Sequence, residues 1–121
     1  MELNEYQDKA MSTCMPSSDN FAYMMLNLVG EVGELASKVA KHIRKDEFGI
    51  TSNGLAGNYL TNDKLEEYEN SMKLEVSDIC WQVAGLCKVM GWTLEEVCQA
   101  NLDKLSSRKD RNVIEGNGDN R

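Results

Sequence analysis

Two long stretches of the chain place apolar residues every three or four positions. The first runs through Phe21, Met25, Leu28, Val32, Leu35, Val39 and Ile43. The second runs through Leu65, Met72, Val76, Ile79, Val83, Leu86 and Met90. That spacing gathers side chains onto one face of an α-helix, and each face must bury itself against another element. No segment alternates apolar and polar residues convincingly, so strands are not expected. Two shorter helices complete the pattern. One spans Leu3 to about Thr13 and is closed by Pro16. The other is opened by Thr93-Leu94-Glu95-Glu96, which has the form of a capping box, and runs to about Ser107. Ser17 to Asn20 offer N-caps for the first long helix; the second starts near Asn62 or Asp63 and ends at Gly91. The expected fold class is all-α, a bundle of four main helices.

Between the long helices, residues 46–61 carry Gly49, Gly54 and Gly57 among Thr, Ser and Asn, and read as a long loop. At 121 residues with 41% hydrophobic content the chain reads as one domain, 1–121, with a polar tail at 109–121.

The formal net charge of −7 argues against nucleic-acid binding, which depends on neutralising phosphates. No apolar run approaches the roughly 20 residues of a membrane span. The opening Met-Glu-Leu-Asn-Glu lacks the basic and apolar segments of a signal peptide. Cys14, Cys80, Cys87 and Cys98 form no CxxC pair, and His42 is the one histidine, which disfavours a Cys/His zinc site. Cys80 and Cys87 read as small core residues, and a reduced, cytoplasmic setting is expected.

The chemistry lies in a repeated pattern. Residues 31–39 read Glu-Val-Gly-Glu-Leu-Ala-Ser-Lys-Val and residues 75–83 read Glu-Val-Ser-Asp-Ile-Cys-Trp-Gln-Val. With Val32 or Val76 set at zero, the paired acids Glu31/Glu34 and Glu75/Asp78 fall at about −100° and −160° on their helices. Both pairs sit on the shoulder of an apolar stripe. If the long helices pack together, four carboxylates converge. Such a group repels itself unless a cation neutralises it, and oxygen ligands suit a hard cation such as Mg²⁺. Acid pairs three apart also occur on ordinary solvated faces; the doubling at matched angles is what raises the metal reading. A di-iron bundle fits less well, because its Glu-x-x-His element is missing.

Asn101, Lys104 and Arg108 form a row on the fourth helix that can hold phosphate oxygens, or a cationic stripe favoured by the helix dipole. Lys38, four residues after Glu34, can meet a phosphate or pair with Glu34. His42 and Trp81 read chiefly as packing residues. Trp81 and Val89, with Leu74, lie off the main stripe and suggest a second covered surface.

Glu31-x-x-Glu34, Glu75-x-x-Asp78 and Asn101-x-x-Lys104, with Gly-Glu-Val-Gly-Glu-Leu at 30–35, resemble the MazG-like all-α nucleoside triphosphate pyrophosphohydrolases. That superfamily is related to dimeric dUTPases and phosphoribosyl-ATP pyrophosphatases. The resemblance runs from Glu31 to Arg108. It implies Mg²⁺-dependent cleavage (with Mn²⁺ as a substitute) between the α- and β-phosphates of a nucleoside triphosphate, giving a nucleoside monophosphate and pyrophosphate. It implies metal-site and catalytic roles for Glu31, Glu34, Glu75 and Asp78. Asn101 and Lys104 match substrate-contacting positions, and Arg108 matches less closely. Members commonly form homodimers or homotetramers. One departure is the spacing: 40 residues separate Glu34 from Glu75, more than is usual in the family. The alternatives are a non-catalytic helical protein that binds nucleotides or a partner, and a phosphoribosyl-ATP pyrophosphatase-like enzyme.

Overall fold

The computed structural model describes residues 1–45, 49–56 and 61–120. Residues 46–48 and 57–60 of the expected loop, and Arg121 of the tail, lie outside the described residues.

Local signals set the helix boundaries. Helix α1 spans Leu3–Met11. Pro16–Ser18 then form a single 3₁₀ turn. Helix α2 spans Phe21–Arg44; the Asn20 side chain accepts the Tyr23 N–H at 2.9 Å, satisfying a donor that the first turn leaves open. Two three-residue strands follow, β1 (Gly49–Thr51) and β2 (Gly54–Ala56). Helix α3 spans Asn62–Val89, with Thr61 as its N-cap. Gly91 ends that helical run at φ +74°, a conformation that costs glycine little. Helix α4 spans Leu94–Asp110 behind the expected Thr93/Glu96 capping box, and runs three residues past Ser107.

The antiparallel hairpin corrects the expectation of a structureless loop. Ile50 faces Leu55 across it, and Thr51 Oγ1 accepts the Asn53 N–H at 3.2 Å within the turn. Strands of three residues are too short to show a period-two pattern. The fold is otherwise all-α, and among the described residues no helix is long and apolar enough to cross a membrane.

Helix α2 packs chiefly on α3, while α1 bridges α3 and α4. Gln7, buried on α1, makes that bridge: its Nε2 donates to Ala84 O at 3.3 Å and Trp92 O at 3.1 Å, and its Oε1 accepts the Leu94 N–H at 2.9 Å. One amide thus serves the end of α3 and the start of α4 together. Asn4 adds a second clasp, accepting the Glu95 N–H at 3.1 Å.

The buried seam differs from the expected stripes. Met11, Met24 and Ala84 form its centre, and Gln82, Gly85 and Cys87 are buried beside them. Val32 and Val76, which the spacing places on the two apolar stripes, are about half exposed at 48% and 45%. The α2–α3 interface is turned from Val32 toward Glu31. Small residues explain the shift: Ala84, Gly85 and Cys87 allow close approach, and Met24 fills the space that remains. Cys80, expected in the core, is exposed. Trp81 is used within the chain, its Nε1 donating to Ala10 O and Thr13 Oγ1, both at 3.0 Å. Val89 also packs against the core, so neither residue forms an outer stripe with Leu74.

A Cβ at Gly85 would overlap the sulfur of Met24, which is fully buried and itself accepts the Gln82 amide at 3.2 Å. Alanine gains roughly 1 kcal/mol of helix propensity over glycine, but overpacking costs about 1–3 kcal/mol. Gly85→Ala should therefore lower the thermal midpoint; a midpoint equal to or above the parent's would show that the seam can dilate.

Candidate active site

Helices α2 and α3 carry one acid motif each, and their packing brings three of the four acids together. Carboxylate oxygens of Glu31, Glu34 and Glu75 all lie within 4.8 Å of one another. Asp78 is exposed and stands outside this trio, but its charge reaches Glu31. Burial, followed by the neighbouring Glu34, raises the proton affinity of Glu31; Asp78 and Glu75 add to the effect. The group holds more negative charge than it can comfortably keep.

A hydrogen-bonded relay fixes Glu31. Asn27 Nδ2 donates to Glu31 Oε1 at 3.1 Å and to Gln82 Oε1 at 2.9 Å. Gln82 is 1% exposed, and its Nε2 donates to Met24 O at 3.4 Å. The Asn27 bond opposes the upward shift of Glu31, because it favours the charged form. Lys38 pairs with Glu75 across the helix interface, at 2.6 Å; its Nζ also donates to Ser71 Oγ at 2.8 Å. His42 serves packing, its ring 4.1 Å from that of Tyr68 on α3.

The α4 row is arranged differently. Asn101 and Lys104 are exposed, whereas Arg108 is only 5% exposed. Asp119 folds back from the tail, accepting from Lys104 Nζ at 3.2 Å and Arg108 Nη2 at 3.0 Å. Arg108 Nη2 also donates to Gly118 O at 3.3 Å, while its Nε is buried without a partner among the described residues. The two cations hold the Asp119 carboxyl below its ordinary range. Among the described residues, no hydrogen bond or ion pair joins this row to the carboxylate trio.

Residues 20–113 match the family model described as the MazG nucleotide pyrophosphohydrolase domain. The chain belongs to the MazG family. It is also 36% identical, across the full length of both chains, to the Gene 37 protein of Mycobacterium phage L5, a name that states no activity. No solved structure matches the chain.

MazG proteins are generally metal-dependent, and the trio fits a metal ion on its own chemistry: oxygen donors only, close together, with charge in excess. Asn27, Gln82 and Ser71 escaped the sequence reading. Asn27 lies four residues before Glu31, and Gln82 seven after Glu75, so both fall on the acid-bearing faces. A polar residue on an otherwise apolar seam was the available signal.

Replacing Asn27 tests the relay. Asn27→Leu removes the donor that favours ionised Glu31, so Glu31 should hold its proton to higher pH. It also strands the buried Gln82 oxygen, at a cost of about 1–3 kcal/mol. The expected outcome is a lower thermal midpoint and Mn²⁺ binding that weakens most on the acid side and recovers as pH rises. Calorimetric titrations with Mn²⁺ at pH values stepped upward from about 4.5, the ordinary glutamate value, check this; a pH dependence matching the parent's would remove Asn27 from the site.

Proposed function

We propose that the chain is a divalent-cation-dependent pyrophosphohydrolase that converts a nucleoside or deoxynucleoside triphosphate into the monophosphate and pyrophosphate. The observation that carries the reading is the meeting of Glu31 and Glu34 on α2 with Glu75 on α3. An all-oxygen donor set favours Mg²⁺, with Mn²⁺ able to replace it. Glu31, Glu34, Glu75 and Asp78 would hold the ion, which when bound offsets phosphate charge and acidifies water. One carboxylate of the four accepts the proton of the attacking water, and the bridging oxygen leaves with pyrophosphate. Lys38, Asn101, Lys104 and Arg108 are the proposed substrate contacts, with the cations opposing charge that develops on the leaving group. Lys104 and Arg108 would exchange Asp119 for a phosphate to do so.

A panel of nucleoside triphosphates with Mg²⁺, extended to phosphoribosyl-ATP, tests the activity. Monophosphate and pyrophosphate are the expected products. Orthophosphate alone, or no product from any nucleotide, would reject the reading, and the latter would favour a nucleotide-binding role. Glu34→Gln and Asp78→Asn keep side-chain size and remove charge, so each should abolish most turnover, roughly a hundredfold or more, with the helical circular dichroism intact. Near-parental rates in both would take the carboxylates out of the mechanism.

Assembly forms part of the same proposal. Leu26 and Val29 on α2 are 76% and 72% exposed, Leu74 on α3 is 68% exposed and Leu102 on α4 is 60% exposed. Large apolar side chains left outside a narrow seam call for another surface, most simply a second copy of the chain in a symmetric homodimer. A homotetramer would extend the same principle. Light scattering at micromolar concentration should give at least twice the chain's 13.6 kDa; a monomer would reject the proposal.

A further inference from the structure

Beside the carboxylate trio lies a cavity of about 360 Å³ with a different character. Glu34 and Glu75 line it where it meets the trio, and Lys38, Lys41, His42 and Lys45 line it elsewhere. Glu31, Glu34, Lys38, Lys41 and Lys45 follow spacings of three and four, so they share one face of α2 and its C-cap. Charge along that face changes sign within about one turn. Lys38 is tied to Glu75 and Ser71, whereas Lys41 and Lys45 are exposed.

The helix dipole alone would favour cations at this end of α2. Its influence fades beyond the last turn, however, and Lys38 lies six residues before Arg44. The dipole also does not require the lysines to share a cavity with Glu34 and Glu75. The volume lies at the small end of ligand pockets, suited to part of a nucleotide. A Mg²⁺ ion commonly shares its coordination with phosphates, so an anionic chain that starts at the carboxylates would extend onto the lysines.

We propose that the Lys38–Lys41–Lys45 pocket takes the β- and γ-phosphates of the substrate and holds them as pyrophosphate when the α–β bond breaks. This rests on the pyrophosphohydrolase reading and adds Lys41 and Lys45 to Lys38 as the groups that receive the leaving group. The pocket thereby selects for the length of the phosphate chain, because a monophosphate has nothing to offer Lys41 and Lys45.

The test is calorimetric titration of inorganic pyrophosphate, and separately of a nucleoside monophosphate, into the full chain with Mg²⁺. Lys41→Met/Lys45→Met should weaken pyrophosphate binding roughly tenfold, with monophosphate binding changed less than about twofold. Lys41→Arg/Lys45→Arg should retain pyrophosphate affinity. Both lysines are exposed, so circular dichroism should be the same in all variants. Undiminished pyrophosphate affinity in the methionine variant overturns the proposal. So does an equal loss for pyrophosphate and monophosphate, which would mark a general charge effect, and so does a parent chain that binds no pyrophosphate. A parent that binds pyrophosphate through these lysines but turns over no nucleotide would sink the enzymatic reading and leave the pocket standing.

Discussion

The buried amide of Gln82 holds the site in register. A polar side chain that is 1% exposed must find partners or destabilise the fold, and Gln82 finds them on α2, at Met24 and Asn27. Sliding α2 by one residue along α3 would break both contacts. The register that satisfies the amide is also the one in which Glu31 and Glu34 meet Glu75. Asn27 couples the two facts directly, since its one amino group serves Gln82 and Glu31 together. The stability of the seam and the geometry of the acids are therefore one constraint.

Local signals made the helices legible. Asn20, Thr93-x-x-Glu96 and Gly91 act through neighbouring backbone groups, and a sequence displays such neighbours directly. The acid motifs were legible for a related reason: spacing along a helix fixes angle, and the matched angles pointed to convergence. What the sequence concealed depends on which face meets which. Counting large apolar residues put Val32 and Val76 at the centres of their faces, but the seam formed where side chains are small enough for close approach. Trp81 was equally hidden, because its partners Ala10 and Thr13 lie about seventy residues away in the chain. The hairpin escaped through brevity, and the return of Asp119 to Lys104 and Arg108 because nothing in a polar tail marks a long-range ion pair.

The displaced seam also explains the surface. Ala84, Gly85 and Cys87 bring the helices together but remove little apolar area from water themselves, while Leu26, Val29 and Leu74 stay outside. A core built this way is thin for the length of chain it organises, and the hydrophobic effect scales with area removed from water. Gln7 and Asn4 compensate in part by tying α1 to the α3–α4 corner with hydrogen bonds. Those bonds fix orientation more than they add stability, because each replaces a bond to water. The proposed homodimer would cover part of the apolar area that Leu26, Val29 and Leu74 leave exposed.

Charge follows a similar economy. Burial first, and then repulsion from Glu34 within a trio whose oxygens lie within 4.8 Å, raises the proton affinity of Glu31 in the folded chain. Because the folded state holds that proton more tightly than the unfolded chain would, the contribution of Glu31 to stability is greatest at low pH. It declines as pH rises through the raised pKa. A bound cation opposes the decline by favouring the ionised form. Lys38 relieves Glu75 from across the interface, but its single charge cannot neutralise three acids. The site is thus built with an electrostatic deficit on the acidic side and a surplus of lysines one turn further along α2. On the proposed reading a divalent cation would answer the first and a chain of phosphates the second, and a metal-bound polyphosphate is a ligand that would supply both at once.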